Sequence, residues 1–314
     1  MNRHLYWRNL HRGHQQSLSE TAGPGPVDQN LNLVLAGLCA LAALILVTAD
    51  GYRIGFEAVH SVGRYVPAVL LETLSKFGET LAAICLIALL AKRQPRVLWM
   101  GVLASAYATT LTHVLKSLCD TARPPAVLGD WVAVTGPVLK LHSFPSGHTV
   151  TVFLLAACFS VGAPRSIRFL FYTLAAAVGA SRVWVGVHWP IDVIVGIGVA
   201  GLSVGLAVRT MKSANCGLGL APHLFFVSLI AVCAVWELMK SSEYPLARLF
   251  GIAIAVPSLF VLARDYLFRP LMRRQAGICS VSISTDPSRD SALLSSSEPP
   301  GTDGATSLVR KGHV

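Results

Sequence analysis

The sequence predicts an all-α protein of the polytopic membrane class, on three observations. Hydrophobic residues make up 53% of the 314 residues and charged residues only 13%, about half the share of charge that is typical of soluble domains. The mean hydropathy is +0.58. Apolar stretches close to the ~20 residues that cross a bilayer recur along the chain. Because backbone groups in lipid must be satisfied within their own segment, these stretches are expected to be helices.

The apolar stretches predict eight membrane helices. Residues 1–30 are polar and basic and contain the run Gly23-Pro24-Gly25-Pro26, so a flexible N-terminal tail is expected. The first six helices, within residues 31–208, are expected to form a core, and two additional helices follow within residues 209–263. Residues 264–314 begin basic and become rich in Ser, Pro and Gly, which is typical of a disordered tail. The expected spans are 31–49, 74–91, 97–116, 148–162, 167–180, 188–208, 222–239 and 246–263.

Shorter features lie around these spans. The apolar spacing within residues 51–71 favours a short helix on the membrane surface. Glu72 and Lys76 are four residues apart, which predicts an ion pair on a helix surface. Trp184 and Trp189 stand where aromatic side chains anchor a protein at the membrane interface.

The distribution of positive charge predicts the orientation. When alternate loops are assigned to opposite sides, 17 of the 26 Lys and Arg residues fall on one side and nine on the other. Cytoplasmic loops carry the excess of Lys and Arg, so both termini are expected in the cytoplasm. The same rule accounts for the net charge of +10 without a nucleic-acid partner.

Three polar clusters interrupt the apolar sequence at span ends on the outer side, and such clusters are candidates for function because charge beside a bilayer is costly. The first contains Lys116 and Arg123, followed by Pro124. Arg binds an anion through a bidentate fork and Lys acts as a point charge. The alternative is a pair of side chains whose charged ends reach the membrane surface.

The second cluster is Pro145-Ser146-Gly147-His148, directly before an apolar helix. Ser146 is expected to cap that helix, and Gly147 lets the backbone approach a ligand closely. Exposed amides and the helix dipole form a site for an anion, beside which His148 stands. The alternative is an ordinary capped helix start.

The third cluster contains Ser181, Arg182, His188 and Asp192. His188 and Asp192 are four residues apart and share one helix face. A carboxylate beside one ring nitrogen fixes the tautomer and leaves the other nitrogen free as a base or nucleophile. The alternatives are a buried hydrogen-bonded pair or half of a metal site, and the lack of further carboxylates or cysteines nearby disfavours metal.

The patterns K-x6-R-P at residues 116–124, P-S-G-H at residues 145–148 and S-R-x5-H-x3-D at residues 181–192 together resemble the three signature motifs of the type 2 phosphatidic acid phosphatase superfamily. This family includes lipid phosphatases, phosphotransferases and vanadium haloperoxidases. The order and spacing of all three motifs agree with the family. The resemblance, with the six-helix phosphatase core that it implies, covers residues 31–208.

The resemblance implies a role for each motif residue. His188 would attack phosphorus, with Asp192 orienting it, and His148 would protonate the leaving oxygen. The phosphoryl oxygens would be held by Lys116, Arg123, Ser146, the Gly147 amide and Arg182. The family implies no metal and no other cofactor.

The sequence thus predicts an integral-membrane phosphatase that removes a phosphate from a lipid phosphate or pyrophosphate at the outer, periplasmic face of a bacterial inner membrane. A phosphotransferase with a lipid or sugar acceptor is the first alternative. A transporter or scaffold with a vestigial site is the second. The lipid headgroup and the oligomeric state stay open.

Overall fold

The computed structural model describes residues 3–241 and 245–272, and the regular structure within these ranges is helical, which confirms the all-α class. Short 3-10 turns and one π-helix accompany the α-helices. The α-helices are α1 (Arg3–Glu20), α2 (Pro26–Asp50), α3 (Phe56–Val62), α4 (Ala68–Phe77), α5 (Thr80–Ala91), α6 (Pro95–Cys119), α7 (Pro124–Leu128), α8 (Gly147–Ser160), α9 (Arg165–Trp184), α10 (Pro190–Met211), α11 (Leu220–Met239) and α12 (Arg248–Ala263).

Five helices of the described ranges are long and apolar enough to cross a bilayer: α2, α6, α10, α11 and α12 with its continuation to Met272. Helices α4 and α5 would form a sixth span as a bent pair. Two of the eight predicted spans do not meet these limits on length and hydropathy. Helix α8 has 14 residues, and α9 carries three arginines. The chain is thus an integral membrane protein, with five helices, or six if the bent pair is counted, of the described ranges meeting these limits where eight spans were predicted.

The second predicted span is a broken helix. It was expected to run continuously over residues 74–91, but α4 and α5 meet at an angle of 63° across Gly78 and Glu79. Glu79 leaves the helical conformation, with φ −70° and ψ 136°. The predicted surface pair of Glu72 and Lys76 is also wrong, because Lys76 is buried and its partners are Glu79 and Glu237.

The N-terminal segment is a packed helix over much of its length, rather than the expected flexible tail. Leu10 and His14 of α1 are buried. His14 Nε2 lies 2.8 Å from the carbonyl oxygen of Leu218, and Tyr6 donates to the carbonyl oxygen of Tyr266. At the other end of the chain, a π-helix (Arg264–Phe268) continues α12 where the basic tail was expected to begin. The tail predicted for residues 275–314 lies outside the described residues.

Close helix packing through glycine brings the third cluster to the second. A Cβ on Gly196 of α10 would lie 3.0 Å from the carbonyl oxygen of Ser146, and one on Gly179 of α9 would lie 3.4 Å from Thr149 Cγ2. Small residues of this kind let membrane helices approach each other closely. On its far side, α10 packs on α2, where a Cβ on Gly201 would lie only 2.5 Å from the carbonyl oxygen of Asn32.

The additional helices α11 and α12 pack against α5. Their shared core contains Ala82, Cys85, Ala234 and Ala255. Ser258 of α12 donates a hydrogen bond of 2.6 Å to the carbonyl oxygen of Cys85. The two helices therefore lie directly on the second half of the broken span.

Candidate active site

The three polar clusters converge at one end of the helix bundle. Lys116 lies in the last turn of α6 and its ammonium group donates to the carbonyl oxygen of Pro145 at 3.0 Å. Arg123 precedes α7, and its guanidinium lies 3.2 Å from Nε2 of His188. The backbone amide of Ser146 donates to the carbonyl oxygen of Asp192 at 3.0 Å. Each cluster thus contacts another, as the motif spacing predicted.

Asp192 forms the hydrogen-bonding centre of this site. Its Oδ2 accepts from Ser143 Oγ at 2.5 Å and from the backbone amide of Trp189 at 2.9 Å, and it lies 3.2 Å from His188 Nδ1. Its Oδ1 accepts from the hydroxyl of Tyr52. The side chain is fully buried, so every bond compensates for the removal of the carboxylate from water. The Trp189 bond is the reciprocal half of a capping box at the start of α10.

The surroundings of His188 define its protonation. A guanidinium can only donate, so Nε2 facing Arg123 Nη1 at 3.2 Å must accept with its lone pair. Nδ1 faces the Asp192 carboxylate at 3.2 Å and therefore carries the proton. The pKa of His188 is lowered to about 4, mainly by burial, and the charge of Arg123 acts in the same direction while Asp192 opposes both. His188 is thus a neutral imidazole near pH 7 with a free electron pair on Nε2.

Backbone carbonyl groups hold the two cations of the first cluster. Arg123 donates to the carbonyl oxygens of Leu141 at 2.9 Å and Val187 at 3.1 Å. Lys116 donates to the carbonyl oxygen of His142 at 2.7 Å. The loop between α7 and α8 thus holds both cations, and Arg123, which also donates to Val187, lies beside His188. Since their side chains are already positioned, little reorganisation is needed to receive an anion.

Ser146 stands at the N-cap position of α8, but its side chain makes no capping hydrogen bond, contrary to the expectation. Its hydroxyl accepts from Thr149 Oγ1 at 3.0 Å, which leaves its own proton for another acceptor. A Cβ on Gly147 would meet nothing within 4 Å, so the space beside its Cα is open. The arrangement retains the helix N-terminus as an anion site.

His148 borders the open space of the site. Its Nε2 is buried and has no hydrogen-bond partner among the described residues. The positive charges of Arg182, Arg123 and Lys116 act on the ring. Arg182 is 2% exposed and donates to Ser75 Oγ of α4 at 2.6 Å. The broken span therefore contributes to the site.

A cavity of about 720 Å³ leads away from His148 into the membrane region. Lys116, Gly147 and Lys240 line it near the site, and apolar side chains such as Leu98 and Phe226 line the rest. On α6 its lining extends from Leu98 to Lys116, which corresponds to about 27 Å of helix. The cavity has the apolar character and length that suit a hydrocarbon chain.

Three site residues escaped the sequence analysis: Ser143, Tyr52 and Thr149. Ser143 and Tyr52 bond to Asp192 from 49 and 140 residues away, so no local pattern indicates them. Thr149 was hidden within an apolar helix. The prediction that Trp189 anchors the protein at the membrane interface is wrong. Trp189 is 1% exposed and its indole donates to the carbonyl oxygen of Ala122.

In the part of the chain that the structure describes, no group of three or more His, Cys, Asp or Glu side chains is arranged to hold a metal ion. Asp120 and His142 pair with each other at 3.1 Å at the outer rim, where both side chains are more than half exposed.

Comparison with known proteins supports the predicted family. The family model described as the PAP2 superfamily matches residues 96–216. The lipid A 1-phosphatase of Rhizobium etli is 30% identical, and the match covers 47% of this chain and 72% of that protein. The undecaprenyl-diphosphatase of Sulfolobus acidocaldarius is 33% identical over 40% of this chain and 62% of that protein, slightly below two thirds of its length. The crystal structure of Aquifex aeolicus LpxE shares 26% identity with a TM-score of 0.45, over 49% of this chain and 93% of that one.

Proposed function

Because the chain belongs to the PAP2 superfamily, we propose that it hydrolyses a lipid phosphate or lipid pyrophosphate through a phosphohistidine on His188. The observation that carries this proposal is the environment of that ring. Nε2 presents its electron pair toward Arg123, while Nδ1 is held on Asp192. A neutral imidazole with a fixed tautomer and a cation at its reactive nitrogen is prepared to attack a phosphoryl group held by that cation.

In the first step, Nε2 of His188 forms a bond to phosphorus and the bond to the lipid oxygen breaks. His148 gives a proton to that oxygen as general acid. The hydroxyl of Ser146, the Gly147 amide, Lys116, Arg123 and Arg182 stabilise the negative charge of the transition state.

In the second step, water attacks phosphorus and passes a proton to His148. The bond between phosphorus and Nε2 breaks, and inorganic phosphate leaves. Asp192 stabilises the positive charge that His188 acquires while it carries the phosphoryl group. The lipid keeps the proton that His148 gave it, His148 regains a proton from water and His188 regains its electron pair, so the cycle needs no cofactor.

The cavity supports a lipid as the substrate. It begins beside His148 and is lined mainly by apolar side chains of α5, α6, α8 and α11. A phosphate at the polar end would leave a hydrocarbon chain to extend along α6. The relatives act on lipid A phosphate and on undecaprenyl diphosphate, according to their names, and these two headgroups are the first to test.

The excess of Lys and Arg in alternate loops supports a periplasmic site in a bacterial inner membrane, with both termini in the cytoplasm. Under this arrangement the substrate phosphate lies in the outer leaflet. Labelling of Cys119, which is exposed and directly precedes Asp120, with an impermeant thiol reagent in intact cells tests the orientation, with Cys119→Ser as the control. Protection of that cysteine until the membrane is opened would refute it.

The catalytic test uses purified protein and four substrates: phosphatidic acid, phosphatidylglycerol phosphate, undecaprenyl pyrophosphate and lipid A phosphate. Release of inorganic phosphate without an added acceptor supports hydrolysis, whereas dependence on a lipid or sugar acceptor supports the transferase alternative. Rapid quenching of a radiolabelled substrate should trap an acid-labile phosphoprotein in the native protein and none in His188→Ala. His11→Ala, on the exposed face of α1, is the matched control. Near-normal turnover by His188→Ala would remove the nucleophile assignment.

A further inference from the structure

The break between α4 and α5 lies against the catalytic ring. An ideal Cβ built on Gly78 would lie 2.8 Å from Cβ and 2.9 Å from Cδ2 of His148. Distances under 3.0 Å are essentially never seen for a real Cβ, so one of the two segments would have to shift. Gly78 has φ −79°, which any residue can adopt. Glycine is therefore required here for the space that the ring of His148 occupies, and not for backbone conformation.

A buried ion cluster holds this break in place. The ammonium group of Lys76 lies 2.9 Å from Glu79 Oε2 and 2.6 Å from Glu237 Oε1. Glu79 Oε2 is also 3.1 Å from the ammonium group of Lys240. Two carboxylates and two ammonium groups alternate, so their formal charges cancel. The side chains of Lys76 and Glu237 are 1% and 3% exposed, which makes the loss of one partner costly.

The cluster joins two parts of the chain. Lys76 and Glu79 flank Gly78, whereas Glu237 belongs to α11 and Lys240 follows it. Helix α12 closes the cluster from the other side, because a Cβ on Gly251 would lie 2.7 Å from Glu237 Oε1 and 3.0 Å from Lys76 Cε. Helices α11 and α12, which lie outside the family match at residues 96–216, thus contact through this cluster the segment that packs on His148.

We propose that Gly78 and the ion cluster of Lys76, Glu79, Glu237 and Lys240 are positioning residues. Through them, α11 and α12 hold the general acid His148 at the position from which it protonates the leaving oxygen. This inference rests on the proposed function of His148. The ring has no hydrogen-bond partner at Nε2 among the described residues, so its position depends on packing, and the Gly78 backbone supplies one wall. A shift of about 1 Å in such a group can reduce a rate by ~10²-fold.

The test compares two substrates that differ in their need for an acid. An n-alkyl phosphate has a poor leaving group that must be protonated, whereas a nitrophenyl phosphate carrying the same alkyl chain leaves readily without a proton. His148→Ala should lower kcat on the alkyl substrate by ~10²–10⁴-fold and have much less effect on the nitrophenyl substrate. Gly78→Ala is expected to show the same selective loss, of ~10²-fold on the alkyl substrate. Gly37→Ala, in α2 with nothing within 4 Å of the added Cβ, should leave both rates unchanged.

Glu237→Gln provides a second variant that leaves the wall of the His148 ring untouched. It weakens the link between α11 and Lys76 and should also lower turnover of the alkyl substrate selectively. Thermal unfolding in detergent and binding of vanadate show whether each variant keeps its fold and phosphate site. If Gly78→Ala and Glu237→Gln lower kcat equally on both substrates while His148→Ala lowers it selectively on the alkyl substrate, the positioning inference alone is overturned. Equal losses in His148→Ala itself would instead refute the general-acid role in the proposed function.

Discussion

The replacement Asp192→Asn tests the reasoning about His188 most directly. Asn keeps the shape of the carboxylate and can place its carbonyl oxygen at the Oδ2 position, where it still accepts from His188 Nδ1, Ser143 and the Trp189 amide. Its amino group then faces the Tyr52 hydroxyl, which can rotate to accept. Folding should therefore survive, and the change removes the negative charge without removing the contacts.

The size of the expected fall in kcat follows from the three hydrogen bonds at Asp192 Oδ2. A hydrogen bond to a charged group contributes ~1.5–3 kcal/mol and one to a neutral group ~0.5–1.5 kcal/mol. A loss of about 1 kcal/mol at each of three donors totals ~3 kcal/mol. If that loss falls on the transition state, where His188 becomes positive, kcat falls ~10²-fold. Substrate binding should change little, because Asp192 does not face the phosphate.

The assay is phosphate release at saturating substrate, with KM measured in parallel. Because Asp192 raises the pKa of His188, its loss should also move the acidic limb of the pH profile to lower pH. Asp120→Asn is the matched control, since this carboxylate is 63% exposed and pairs only with His142 among the contacts seen. A fall in kcat of less than threefold in Asp192→Asn would refute the account of His188.

Three further predictions follow from the same geometry. The acidic limb of kcat/KM should lie near pH 4, because the buried His188 has its pKa lowered to about 4 and is neutral above that value; a limb near the unperturbed ~6.5 in a pH–rate profile would contradict this. Tyr52→Phe removes one donor to Asp192 and should lower kcat by roughly 10- to 100-fold, the effect of ~1.5–3 kcal/mol; unchanged steady-state turnover would exclude a role for Tyr52. Arg123→Lys cannot reproduce the contacts to Leu141, Val187 and His188 and should weaken vanadate inhibition at least tenfold. As the control, Arg53→Lys, at an exposed position, should leave the inhibition constant within twofold.

The sequence by itself determined the class of the protein and the core of its site. Low charge and long apolar stretches predicted a helical membrane protein because backbone groups in lipid can be satisfied in few other ways. The motif spacing placed Arg123, His148, His188 and Asp192 at helix ends on one side. Their contacts confirm the convergence of the clusters, while the catalytic roles stay predictions.

Local patterns could not predict the features that depend on distant neighbours. A period of 3.6 residues shows that a stretch is helical, but it does not show that Glu79 will leave the helix to join Lys240, 161 residues away. The polar N-terminal segment likewise gave no sign that His14 would be buried against Leu218. Composition favoured a tail there, and tertiary packing made it a helix.

Tertiary structure also decided which polar groups support the catalytic ones. Tyr52 and Ser143 reach Asp192 only because the turn after α2, the loop before α8 and the start of α10 meet at one place. A buried carboxylate needs donors from every direction, and the chain supplies them from wherever the fold brings it close. Residue types and spacing therefore specified the reacting groups, whereas their orientation and protonation were decided by packing.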